Sequence, residues 1–537
     1  MSESLKEKDQ ITQELTKKSY DNYPYVSYPF ASTHPYHLMT LAKLFGLNTE
    51  PVETARILEI GCAAGNNILP LAVSYPKAHI VGIDLSKVQI DEANKQKESL
   101  KLDNIEFHAI SITDVDDTFG KFDYIICHGV FSWVPESVRE KILEVCSKNL
   151  SDNGLSYISY NTLPGWNMVR SIRDMMVYHS QNFGTIQEKI NQSKLLLKFV
   201  VDSLEGSKSP YAEMLRSETE LLSRQQDSYL CHEHLESTNQ QFYFHDFMAI
   251  ANKYKLQYVS DTSISNMYLG NMPPKAVEHL KTINDIVKTE QYMDFITNRR
   301  FRSTILCHQN TSINRNLKNE DIEKFYLALN IIPEIEEKNI DFNAPEVVKF
   351  YYNNNKETNL STSSPYMKAI LYSFAENVGY NISFNKICEI ANKKLGAHHL
   401  NEIRTELMNN AMTLVLQGYI NISVNPSFEH NKCNMDYPQM ANSLIEYQVR
   451  HTDNFWVTNE KHELIGISIF EKFMLKAMNG KDDKEQILEK LVSHVLSGEM
   501  LIHKDEVAVT EKEAIKTEIS AAYDVTLKKF VQSWIIK

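Results

Sequence analysis

Two acids and two glycines near the start of the chain have the spacing of a small-ligand site. Residues 57–65 read "ILEIGCAAG": an apolar run carries Glu59, then Gly61 and Gly65 follow four residues apart. Such a loop leaves the carboxyl end of a buried strand and enters a helix, and in open α/β sheets ligands bind in that crevice. Glycine at 61 and 65 leaves the backbone approachable, with no Cβ in the way. Asp84, in "VGIDLS", lies 23 residues after Gly61 and ends a second apolar strand. A carboxylate there accepts hydrogen bonds from both hydroxyls of a ribose. The two features together point to an adenosine-containing ligand. A dinucleotide asks for G-x-G-x-x-G, yet Ala63 and Asn66 occupy the second and third glycine places, so the pyrophosphate cradle is missing. S-Adenosylmethionine has no pyrophosphate. It needs backbone beside its methionine part and an acid near its ammonium, and Glu59, directly or through water, meets that need.

The elements that must hold these residues follow from periodicity. "ARILEIG", "AHIVGID", "IEFHAI", "FDYIICHG" and "GLSYISY" are short apolar runs bounded by Gly or charge, and read as buried strands. "SKVQIDEANKQKESLKL" reads as a helix with Ser86 at the N-cap and Gln89 completing a capping box. "ESVREKILEVCSKNL" is another helix. Strands alternating with helices give a mostly parallel, Rossmann-like α/β sheet covered on both faces. After Trp166 the strand signal fades and residues 167–300 look mainly helical. "NNNKETNLSTSSP" (353–365) reads as a loop or linker. Residues 366–420 pair helices with a short strand signal near "LVLQGYINISV", a winged-helix-like pattern, and "FEHNKCNMDYPQ" (428–439) marks a second break. The expected division is an N-terminal lid segment 1–48, a cofactor-binding catalytic domain 49–166, a helical middle domain 167–310, a winged-helix-like domain 311–430 and a C-terminal domain 431–537.

Composition narrows the partners. With 56 Lys and Arg against 69 Asp and Glu, the net charge is −13, which argues against a nucleic-acid partner, since phosphate binding needs a cationic surface. The seven cysteines include no Cys-x-x-Cys pair, as expected of a reduced cytoplasmic chain without a structural zinc site. The start "MSESLKEKDQ" is polar and no apolar run reaches spanning length, so neither a signal peptide nor membrane insertion is expected.

With these residues in view, "EIGCAAGN" and "GIDLS" resemble motifs I and II of the class I S-adenosylmethionine-dependent methyltransferases. The resemblance implies a seven-stranded sheet and a cofactor site formed by Glu59, Gly61, Cys62, Ala63, Gly65, Asn66, Asp84 and Leu85. Where many relatives hold the adenine amino group with an Asp, "HAISITD" has Ser111; Ser111, Asp114 or the Ile112 backbone are the alternatives there. "ICHGVFSWV" is similar to the motif on the sulfonium side, which implies His128 near the cofactor and Trp133 at the substrate mouth. Four further stretches, "YDNYPYVSYPFASTHP", "SYNTLPGW", "YLCHEHLE" and "QYMDFITNRRFRSTILC", resemble the methyltransferases that carry a regulatory domain. Length and order of parts are similar to the rickettsial protein-lysine methyltransferases, which modify lysines of an outer-membrane protein. That resemblance implies a protein partner with accessible lysines; a homodimer is left open.

Methyl transfer to lysine is an in-line displacement that needs alignment, exclusion of water and a neutral amine. Aromatic residues at strand ends and in the N-terminal segment are the candidates. The prolines at 24, 29 and 35 forbid a regular helix there, and Tyr20, Tyr25, Tyr28 and His34 are expected to fold over the cofactor as a lid. Tyr160, Trp133 and Tyr28 are expected to form the substrate channel, with Asn161 and Trp166 nearby, and His34 or His128 to relay a proton. "CHEHLE" lacks metal-ligand spacing, because His232 and His234 point apart on a helix. "RRFR" (299–302) is expected to form salt bridges to acidic neighbours.

Overall fold

The computed structural model describes residues 21, 25–236, 238–425, 433–504 and 507–537. Tyr20 of the expected lid lies outside them. Seven strands form one sheet: β1 (Arg56–Ile60), β2 (His79–Asp84), β3 (Ile105–Ala109), β4 (Phe122–Cys127), β5 (Leu150–Asn161), β6 (Leu256–Asp261) and β7 (Phe301–His308), in the order β3-β2-β1-β4-β5-β7-β6. β1 to β5 pair in parallel, and β7 lies antiparallel between β5 and β6. The sheet is α/β, Rossmann-like and seven-stranded, as the class I motifs imply. Ligand-binding loops therefore gather at the carboxyl ends of β1, β2, β4 and β5, beside the reversal between β1 and β4.

Strand alternation sends side chains to two cores. Ile57, Tyr124, Ile126 and Tyr157 pack on one face with Leu38 and Leu41 of α1 (Pro35–Leu44) and with residues 322–420. Leu58, Ile60, Ile125, Cys127, Ile158 and Tyr160 pack on the other face. There they meet Val138 and Ile142 of the helix Glu136–Lys148, and Phe244 and Phe247 of the helix Phe244–Lys253.

The boundaries differ from those expected at three places. The catalytic sheet does not end at residue 166: β6 and β7 come from 256–308, and helices at Trp166–Ser180, Ile186–Ser203 and Pro210–Ser223 are inserted between β5 and β6. The strand signal was hidden because "LQYVSD" and "FRSTILCH" are interleaved with polar residues, and Arg302 within β7 is wholly buried. It pairs with Glu290 at 2.9 Å and Asp294 at 2.8 Å on the helix Ile286–Thr297. Arg299 pairs with Asp261 and Arg300 with Glu218, so "RRFR" is a set of internal salt bridges. The stretch 353–365 is no linker. Val348–Tyr352 and Asn355–Thr362 pair as a hairpin, and Asn353 and Asn354, at φ of 48° and 59°, make its two-residue turn. Asn tolerates that left-handed conformation, and such turns match strand twist. Finally, residues 365–423 do run helix, strand, helix, helix, strand, but they share a core with the main sheet. Residues 440–536 have a core of their own. Among the described residues no helix is long and apolar enough to cross a membrane.

Candidate active site

A cavity of about 510 Å³ opens at the carboxyl ends of the strands. One end is built by the β1 and β2 loops. Gly61 and Cys62 donate backbone hydrogen bonds to the Ile83 carbonyl at 2.8 and 3.1 Å, which curls the loop back onto β2. The Asp84 carboxylate braces it, accepting from the Ala63 N–H at 2.9 Å and the Ser86 N–H at 2.8 Å. Burial pushes its pKa up while those amides pull it down. The curl puts Gly61 at φ +74° and Gly65 at φ +78°. A Cβ on Gly61 would stand 2.4 Å from Val130, and one on Gly65 would stand 2.7 Å from the Phe107 ring. These glycines are needed for the turn and its packing; the space they keep is filled by protein, not left to the ligand.

Of the residues expected to bind the cofactor, Glu59, Gly61, Cys62, Ala63, Asp84, Leu85, Ser111, Ile112 and His128 line the cavity. Gly65 and Asn66 do not: Gly65 faces Phe107, and the Asn66 amide donates to the Ser27 carbonyl at 3.0 Å. Ser111 caps the turn Ile112–Asp114, and Asp114 is exposed outside the cavity. Glu59 is 4% exposed; Oε1 accepts from Asn67 at 2.6 Å, while the buried Oε2 has no partner among the described residues. Burial raises its pKa to about 8. An orphaned carboxylate oxygen beside a ribose-type acid is what the amino group and ribose of S-adenosylmethionine require, so the residues fit this cofactor.

Glu59 has a consequence for stability. A carboxyl raised from 4.5 to about 8 keeps its proton in the folded chain over a range where the unfolded chain has lost it, so the contribution of Glu59 to apo-protein stability is fully present below pH 4.5 and is lost as pH rises towards 8. Glu59→Gln is expected to remove that decline, by about 2–4 kcal/mol at its upper end, and to weaken cofactor binding. Thermal melts of apo and cofactor-loaded protein across pH 5–9 check it; an unchanged pH dependence would refute it.

The N-terminal segment forms one wall. Tyr25, Ser27, Tyr28 and Phe30 line the cavity. Phe30 lies on His128, ring centroids 4.0 Å apart, and its N–H donates to Asn67 Oδ1 at 2.8 Å. The Gln89 amide does not close a capping box; it donates to the Tyr25 carbonyl at 3.0 Å, while Ser86 alone caps the helix Lys87–Leu100. Tyr28 meets Trp456 edge-on at 5.5 Å. His128 follows the end of β4, and its Nδ1 pairs with the Tyr157 hydroxyl at 2.7 Å. Burial lowers its pKa to about 4, so it is neutral near pH 7.

Two catalytic candidates are misplaced. Tyr160 is 1% exposed and stacks on Phe247 at 4.1 Å, its hydroxyl against Thr304. Alternation along β5 turns it into the core and gives the cavity position to Asn161. His34 caps α1, its Nδ1 accepting from the Tyr36 N–H at 3.0 Å, and is half-buried beside His462 and Tyr75 outside the cavity. Tyr28 and Trp133 do line the cavity.

Several cavity residues carried no signal as such in the sequence. Cys231–Leu235 is a π-helical turn, a distortion common at functional sites, and it brings His232, Glu233 and His234 into the cavity lining, with Tyr229. Among the described residues no group of three or more potential ligands is arranged for a metal. Asn67 was also missed. Besides Glu59 and Phe30 it meets His462 at 2.9 Å, tying the C-terminal segment to the loop. Its neighbours lie up to 395 residues away, so no local pattern announced it.

Family models match along the chain: a methyltransferase domain at 52–217, a predicted methyltransferase regulatory domain at 226–308 and a PKMT C-terminal winged helix domain at 436–534. The winged-helix model thus falls on the last segment rather than on 311–430. The regulatory model covers β6, β7 and the cavity residues 229, 232–234 and 300–301. An uncharacterised protein of Rickettsia prowazekii is 57% identical over 518 residues, 96% of this chain and 93% of that protein. A second from the same organism is 52% identical over 243 residues, 45% of this chain and 97% of its own. Among solved structures, PKMT2 from Rickettsia typhi in complex with AdoHcy is 43% identical, with a TM-score of 0.88 over 96% of this chain and 100% of that one. Motifs, sheet, cavity and full-length similarity converge: the chain belongs to the class I S-adenosylmethionine-dependent methyltransferases with a regulatory domain, and within them to the group of the rickettsial PKMTs.

Proposed function

We propose that the chain transfers methyl groups from S-adenosylmethionine to lysine side chains of a protein, an outer-membrane protein before its export from the cytoplasm. The observation that favours lysine is the rest of the cavity lining. Besides the residues expected to hold the cofactor, the cavity is lined by Tyr25, Tyr28, Trp133, Trp166 and Tyr229 and by the acids Glu218 and Glu233. Aromatic faces attract a cationic amine by roughly 0.5–2 kcal/mol, and their burial lowers the amine's pKa towards the neutral, nucleophilic form. S-Adenosylmethionine supplies a methyl carbon activated by its sulfonium. Glu59 would hold its ammonium and Asp84 its ribose, Tyr28 and Trp133 would flank the entering side chain, and Phe30 and His128 would close the site to water. The two segments after residue 310 give more surface than a small substrate needs.

Tritium transfer from labelled S-adenosylmethionine to a bacterial outer-membrane extract is expected to label one large protein band, with the label recovered as methyl-lysine after hydrolysis. Label found only in small solutes, or no transfer despite cofactor binding, would overturn the assignment.

A further inference from the structure

We propose that Glu233 is the catalytic base of this methyl transfer: its carboxylate receives the substrate ammonium at the mouth of the cavity and takes its proton. The inference rests on an amine being the substrate, as in the function proposed above. Glu233 lines the cavity on the π-helical turn. Among the described residues it accepts no hydrogen bond and makes no ion pair, although it sits close enough to Tyr25 and Tyr229 to act on both phenols. The other cavity acids have partners: Glu218 pairs with Arg300, Asp84 accepts from the loop amides, and Glu59, at the loop expected to hold the cofactor, accepts from Asn67 through one of its two oxygens.

The reaction needs such a group. A free lysine ammonium has a pKa near 10.4, so only about one amine in 2,500 is neutral at pH 7. The ammonium proton passes to the Glu233 carboxylate, giving a neutral amine and a carboxylic acid. The amine lone pair then forms the nitrogen–carbon bond as the methyl–sulfur bond breaks, its electrons staying on sulfur, and the carboxylic acid later releases the proton to solvent. Burial raises Glu233 to about 7, which brings the acceptor nearer the amine than an exposed carboxylate would be. His128 and His234 are lowered to about 4 and are poor acceptors, while Tyr25 and Tyr229 are raised to about 12 and stay protonated. The remaining groups facing this part of the cavity are Tyr28, His232, Glu218 and Arg300.

The test compares full-length wild type, Glu233→Gln and Glu233→Asp on a lysine-containing peptide between about pH 6 and 9.5, with S-adenosylhomocysteine affinity measured in parallel so that titration of Glu59 is read separately. Wild-type kcat/KM is expected to rise with pH and bend near 7. Glu233→Gln is expected to lose roughly 10²–10³-fold at pH 7, to keep S-adenosylhomocysteine affinity, and to recover as pH approaches the amine's own pKa. Glu233→Asp is expected to restore part of the rate. A Gln variant within about threefold of wild type, or one that loses the same factor at every pH, would overturn the base assignment. If the wild type methylates a small amine instead of peptidyl lysine, the lysine assignment fails alone, and Glu233 is judged on that amine by the same profile. If the wild type methylates no amine, both fail.

Discussion

Asp84→Ala is expected to weaken S-adenosylmethionine binding roughly 10²–10³-fold in calorimetric titration. A hydrogen bond to a charged group contributes about 1.5–3 kcal/mol, and a ribose offers two hydroxyls to this carboxylate, while 1.4 kcal/mol is a tenfold change in affinity. Asp84 also braces the glycine loop through the Ala63 and Ser86 amides, so part of the loss comes through the loop. A ribose-modified ligand separates the two contributions. If Asp84 binds the hydroxyls, alanine costs S-adenosylhomocysteine much more affinity than it costs the 2′,3′-dideoxy analogue. Equal losses for both ligands would assign Asp84 to loop bracing alone, and unchanged affinity would remove it from the site.

Deleting residues 1–29 is expected to reduce cofactor affinity at least 100-fold, with the melting of the rest preserved. The cut removes Tyr25, Ser27 and Tyr28 from the cavity wall and leaves Asn66 and Gln89 without their carbonyl partners. A lost wall of this kind exposes the ligand to water and forfeits several contacts worth about 1 kcal/mol each. None of the three removed wall residues belongs to a hydrophobic core, whereas Tyr36 does. A cut at residue 36, natural from the sequence, would enter α1 and break the fold as well. Retained affinity in the 1–29 deletion would show that the segment is packing and not a lid.

The contrast between Tyr160 and Asn161 shows where reading the sequence stopped. Both follow an evident strand, and an aromatic at a strand end was the natural candidate for the channel. Side chains alternate across a sheet with period two, so one residue's difference decides between core and cavity. That parity is fixed by which face the α1 side and the Phe244–Lys253 side of the sheet cover, not by the residues of β5. Glu233 presents the same problem from the other side. On a regular helix the spacing in "CHEHLE" points its side chains apart; the turn is π-helical, and its three central residues line the cavity together.

The sequence by itself determined the strand–loop–helix geometry at Glu59–Gly65, the place of Asp84, and hence the fold class and the cofactor. These are local: propensity, glycine and short spacing specify them within about thirty residues. The tertiary structure decided the rest. It placed β6 and β7 in the catalytic sheet across an inserted helical segment. It made Asn67 the junction of the N-terminal wall, Glu59 and His462. It brought Glu233 into the cavity that the β1 and β2 loops line. Apart from the Glu59–Asn67 bond, those pairings join residues tens to hundreds of positions apart, and burying apolar faces against one another, not any local pattern, selects which distant groups meet.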